Sequence, residues 1–162
     1  MSGHSSKITL VIWLTLVAAL LFSVVPMPEK MEIGRPLWLG LVLTFWAIYF
    51  PQNIGVITAW CVGIAQDVLY GTTFGQHALA LVIIVFLVLT LQQRLKVFPL
   101  WQQSCALLVI YGLAQLVLLW LSTLSGMRPE INYYAWPVLI SCLLWPWLYL
   151  FLINIKRLRG FR

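Results

Sequence analysis

Residues 7–25 read KITLVIWLTLVAALLFSVV, a single lysine followed by an uninterrupted uncharged run. As an α-helix rising 1.5 Å per residue, the run from Ile8 to Val25 would measure about 27 Å, close to the ~30 Å hydrocarbon core of a bilayer. It is longer than the apolar region of a secretory signal, usually about 7 to 15 residues, and no Ala-x-Ala cleavage site follows it. The stretch is therefore read as a retained first membrane span.

The rest of the chain has the same character. Its 162 residues are 62% hydrophobic and only 9% charged, with a mean hydropathy of +0.97, a balance that cannot give a soluble domain its charged surface. Aromatic residues make up 14%, as expected where amphipathic rings anchor span ends at the headgroups. The net charge of +6 does not point to nucleic acid, because the basic residues sit at span ends. Cys61, Cys105 and Cys142 each fall inside an apolar run without metal-ligand spacing and read as small core residues. The chain has no Gly-Lys-Ser phosphate loop, no His-Glu-x-x-His and no Gly-x-Ser-x-Gly, so no cofactor, metal or enzymatic activity is expected.

The apolar runs predict an all-α polytopic membrane protein, one integral domain over residues 1–162, with spans at 8–25, 37–50, 54–69, 78–91, 100–124 and 133–153. Breaks come from Pro26, Pro28 and the charges after them, from Pro51-Gln52-Asn53, from Gly71 to Gly75, from Gln92 to Pro99 and from Ser125 to Asn132. Only an uncharged turn separates the second and third runs, so residues 37–69 form either two short crossings or one re-entrant unit, giving six spans or four. Basic residues set the orientation. With six spans and the N-terminus inside, Lys7, Arg94, Lys96, Lys156, Arg157, Arg159 and Arg162 are cytoplasmic, and Lys30, Arg35 and Arg128 are external. Only an even number of spans keeps both termini and the Arg94 loop together on the inside. The basic C-terminal segment also suits contact with anionic lipid headgroups.

In lipid, helices associate through close packing at small residues and a few polar contacts. Gly55, Ala59 and Gly63 recur every four residues and form a narrow helix-packing face. Thr15, Ala19 and Ser23 make a comparable stripe, a candidate partner for it. Asp67, next on the first stripe, is the sole acid within a predicted span, and its cost in lipid is several kcal/mol unless it faces protein or water. It is expected to pair with external Arg35 or Arg128, the alternative being that it reaches the outer interface beside Tyr70. His77 reads as an interfacial residue of the same outer polar cluster, with Gln66 and Gln76 nearby, and Gln115 lies at mid-depth. Ser104 and Ser141 are placed to bond their own helix backbone. Gly71 and Gly75 read as a turn that needs positive backbone angles, and Pro146 as a helix kink.

Taken in order, Arg35-Pro-Leu-Trp38, Gly63-x-x-x-Asp67 leading into Gly71-Thr-Thr-Phe-Gly75, Trp101-Gln-Gln103, Arg128-Pro-Glu130 and Trp145-Pro-Trp147 give the chain a likeness over essentially its whole length. It resembles the MreD family of bacterial rod shape-determining inner-membrane proteins. The resemblance implies a compact six-helix bundle with both ends cytoplasmic, a likeness to the substrate-binding component of vitamin transporters, and a scaffold role in side-wall peptidoglycan synthesis. It also implies partners: an MreC-like bitopic protein directly, and MreB, RodA and a penicillin-binding transpeptidase through the assembly. Homo-oligomerisation stays open. The rival reading is a membrane substrate-binding or transport component with an outer-facing cavity for a small molecule or a lipid-linked precursor. An intramembrane enzyme would need a nucleophile with a base, and the runs offer none.

Overall fold

The computed structural model describes residues 2–25, 34–71, 75–124, 126 and 130–158, with side chains from residue 7 onward. Among these residues it is entirely helical, with α1 at Ser2–Val24, α2 at Trp38–Tyr49, α3 at Val56–Tyr70, α4 at Gln76–Val97, α5 at Leu100–Leu124 and α6 at Asn132–Leu158. The boundaries follow local chemistry. Pro51 follows α2, whose last backbone bond is Phe50 N–H to the Trp46 carbonyl. Gly71 ends α3 at φ +64° and Gly75 opens α4 at φ +98°, angles that cost a side-chain-bearing residue about 1 kcal/mol or more. Phe98 is extended, as a residue before proline should be, and separates α4 from α5.

Helix α4 runs on past the expected 78–91 to Val97. Arg94 and Lys96 sit in its last turn, where a cation is favourable, and the stop comes from Pro99 rather than from the first polar residue. Helix α6 likewise runs to Leu158, through both Pro137 and Pro146. Among the described residues, four helices are long and apolar enough to cross a membrane: Lys7–Val24 within α1, then α4, α5 and α6. With 12 and 15 residues, α2 and α3 extend over only about 18 and 22 Å.

The short α2 is the centre of the bundle. Every residue from Leu39 to Ile48 is buried, the pattern of a helix that is apolar on all sides because it is packed on all sides. It packs against α1, α4 and α6. Single hydrogen bonds fix it to its neighbours: Trp46 Nε1 donates to Thr15 Oγ1 at 2.9 Å, Thr44 and Tyr111 hydroxyls meet at 2.9 Å, and the Leu37 amide donates to Ser141 Oγ at 2.7 Å. Ser141 thus serves the neighbouring chain segment instead of its own helix, whereas Ser104 does bond its own Leu100 carbonyl. The periphery is apolar, with Leu14, Trp60, Leu116 and Phe151 all exposed, a surface suited to hydrocarbon.

Polar contacts gather at two opposite ends. At one, the C-terminal ends of α1 and α3 meet the N-terminal approaches to α2 and α4. At the other, Asn53 Nδ2 donates to Thr9 Oγ1 and the Tyr49 and Tyr149 hydroxyls bond to each other. Gln103 Nε2 there bonds the Leu95 and Phe98 carbonyls, and Lys156 lies 4.5 Å from the centre of the Tyr49 ring. Consecutive helices therefore alternate in direction.

Candidate functional site

At the first of these ends the α3–α4 joint is organised by Asp67. Its carboxylate accepts from the Gly75 amide at 2.9 Å, the His77 amide at 2.9 Å and the Ala78 amide at 3.3 Å. These are first-turn N–H groups of α4, which have no partner within their own helix. The His77 ring adds a contact through Nδ1 at 2.8 Å. Asp67 thus caps the positive end of α4 from the preceding helix, and its burial is offset by charge-assisted hydrogen bonds. Arg35 is not among these partners, and Arg128, the other expected partner, lies outside the described residues. His77 is part of the cap. The sequence signal was available: an acid one turn before a Gly-x-x-x-Gly turn and a following helix start.

Arg35 instead turns to the end of α1. Its Nη1 and Nη2 donate to the Ser23 and Val25 carbonyls at 2.5 and 2.7 Å, unsatisfied acceptors of a helix C-terminus, where a cation is favoured. Tyr70 also donates to the Ser23 carbonyl at 2.6 Å, bringing α3 to the same point. Arg35 Nε is buried without a partner.

The small-residue face also acts within the chain. A Cβ at Gly63 would lie 2.3 Å from Ala78 Cα and 2.8 Å from Ala78 N, so glycine is what lets the α3 and α4 backbones touch, and Ala59 is fully buried on the same face. Its partner is therefore α4, not the Thr15, Ala19 and Ser23 stripe of α1: the glycine stripe meets the backbone of Ala78, while Thr15 is taken up by Trp46. Gly55 has open space around it.

Between these elements is a cavity of about 500 Å³ whose polar lining includes Arg35, Gln66, Tyr70, His77, Gln115 and Tyr134. Gln66 is 8% exposed and Gln115 9%. A second hollow of about 360 Å³ lies between α5 and α6, lined by apolar side chains such as Leu108, Leu116, Val138 and Leu139, with Gly112. Gln115 and Tyr134 border both. Sequence reading placed Arg35 and His77 together but missed the convergence of Gln66 and Gln115, which lie on different helices. No group of three or more metal-ligating side chains occurs among the described residues.

Two other sequence motifs, Trp101-Gln-Gln103 and Trp145-Pro-Trp147, meet at the far end. Gln103 Oε1 accepts from Trp145 Nε1 at 3.0 Å while its Nε2 bonds the Leu95 and Phe98 carbonyls, so one buried amide joins α4, α5 and α6.

Residues 4–155 match the family described as rod shape-determining protein MreD. The chain is 28% identical, over 90% of its length and 92% of the relative's, to the rod shape-determining protein MreD of Haemophilus influenzae. No solved structure matches, so the expected likeness to vitamin-transporter components gains no support from that comparison.

Proposed function

The chain belongs to the MreD family of rod shape-determining proteins, and from that premise we propose that it is a non-enzymatic, multi-pass scaffold of the bacterial inner membrane. In this reading it binds an MreC-like bitopic partner and, through the assembly, helps MreB, RodA and a penicillin-binding transpeptidase maintain side-wall peptidoglycan synthesis. The observation that carries the reading is what the molecule presents to others. Among the described residues, many polar side chains bond to the chain's own helices, and most of the large side chains left exposed along the helices are apolar. Such a surface recruits partners by lateral helix packing.

All six helices cross in this reading, the short α2 and α3 included. The end bearing Lys7, Arg94, Lys96, Lys156 and Arg157 faces the cytoplasm, following the basic-residue rule. The Asp67–Arg35 end then faces outward, toward the partner's periplasmic part. Because the Gly63 face is occupied by Ala78, the partner's helix packs on another, lipid-facing surface. The test is depletion and complementation in a rod-shaped host, combined with co-purification of the partner. Loss of rod shape on depletion and partner recovery in detergent support the reading; normal rods with no recovered partner overturn it.

A further inference from the structure

The two hollows carry an inference independent of the scaffold role. Gln66 and Gln115 are each more than nine-tenths buried and line the cavity, and on a third lining residue Arg35 Nε is buried without a partner. A buried polar group left unpaired costs about 1 to 3 kcal/mol, so two amides and a guanidinium converging on one space favour a polar occupant. Arg35 borders the same space with no carboxylate paired to it among the described residues. The cavity's volume of about 500 Å³ falls within the ~300 to 1,000 Å³ of small-molecule sites. Beyond Gln115 and Tyr134 the second hollow is almost wholly apolar and opens on the outer surface between α5 and α6.

We propose that this pair of spaces binds one anionic lipid, its phosphate-bearing headgroup in the cavity against Arg35, Gln66 and Gln115 and its hydrocarbon chain in the α5–α6 groove over Gly112. A chamber with a polar lining beside an apolar groove, the two sharing Gln115 and Tyr134, matches an amphiphile better than a free polar metabolite, which would leave the groove empty. It also matches better than a partner's apolar helix, which would bring no polar group to Gln66, Gln115 and Arg35. Gly112 gives a direct handle: a Cβ there meets nothing within 4 Å, so a larger side chain fits without disturbing the bundle and fills the groove instead.

The full chain in detergent is titrated by native mass spectrometry with dioleoylphosphatidylglycerol, dioleoylphosphatidylcholine and glycerol phosphate. One-to-one binding of the anionic lipid is expected, about tenfold tighter than the zwitterionic one. Gly112→Leu should weaken it at least about tenfold, as should Gln115→Leu and Arg35→Gln, with melting temperatures of the variants confirming that they fold. Should Arg35→Gln fail to fold, Gln115→Leu and Gly112→Leu decide. Equal binding of the two lipids removes the anion argument. Glycerol phosphate binding as tightly as the lipid means a free-anion site and overturns the assignment of the groove. Gly112→Leu that keeps lipid binding but loses an MreC-like partner assigns the groove to that partner's helix and likewise overturns it.

Discussion

Replacing Gly63 is the sharpest probe of how the bundle is held together. The added Cβ would stand 2.3 Å from the Cα of Ala78 and 2.8 Å from its amide nitrogen, whereas comfortable carbon contacts begin near 3.5 Å. Both obstructing atoms are backbone and cannot rotate away, so α3 and α4 must part by roughly 1.2 Å. That displacement acts on the first turn of α4, where the Ala78 amide already reaches Asp67 at 3.3 Å and would lose its bond. Overpacking costs about 1 to 3 kcal/mol, and a lost hydrogen bond to a charged group adds about 1.5 to 3 kcal/mol. Gly63→Ala is therefore expected to destabilise the protein by about 3 kcal/mol, and Gly63→Leu by more. The assay is reversible unfolding in mixed detergent micelles with increasing dodecyl sulfate, followed by tryptophan fluorescence. Gly112→Ala, with open space around it, is the control and should be neutral or stabilising by up to about 1 kcal/mol. A Gly63→Ala loss below about 0.5 kcal/mol would refute the close approach of α3 and α4.

Asp67→Asn should cost about 2 kcal/mol in the same assay, because a neutral amide cannot accept from the three α4 amides as the carboxylate does; stability equal to the parent would contradict the capping role. Gly75→Ala, forced to φ +98°, should lose about 1 to 2 kcal/mol, read as a lowered melting temperature. For Gln103→Leu and Trp145→Phe, a double-mutant cycle should give a coupling of about 0.5 to 1.5 kcal/mol, since each leaves the other's buried polar group unpaired; additive losses would mean that their 3.0 Å contact contributes nothing.

The helical class and the chain breaks were legible in the sequence because both are written in local chemistry: apolar runs, prolines and the glycines at 71 and 75. Helix ends were less so. The polarity of Gln92 to Lys96 suggests a loop, yet long side chains allow a helix to continue past the apolar run until Pro99 stops it. The centrality of α2 was hidden, since a helix apolar on all sides looks alike whether lipid or protein surrounds it. At the candidate site, charge alone suggested that Asp67 pairs with Arg35 or Arg128. Asp67 instead takes backbone donors at the start of α4, and Arg35 backbone acceptors at the end of α1, and such groups leave no mark in side-chain identity. Nor does a sequence reveal that Gln66 and Gln115, 49 positions apart, border one cavity.

The scaffold role rests on lateral capture of a bitopic partner by the apolar outer surface. It is tested most directly by co-purifying the full chain with an MreC-like protein whose single membrane helix is either native or replaced by an unrelated apolar helix of equal length. The account predicts recovery of the native partner and loss of the helix-swapped one. Equal recovery of both, or of neither, would contradict it.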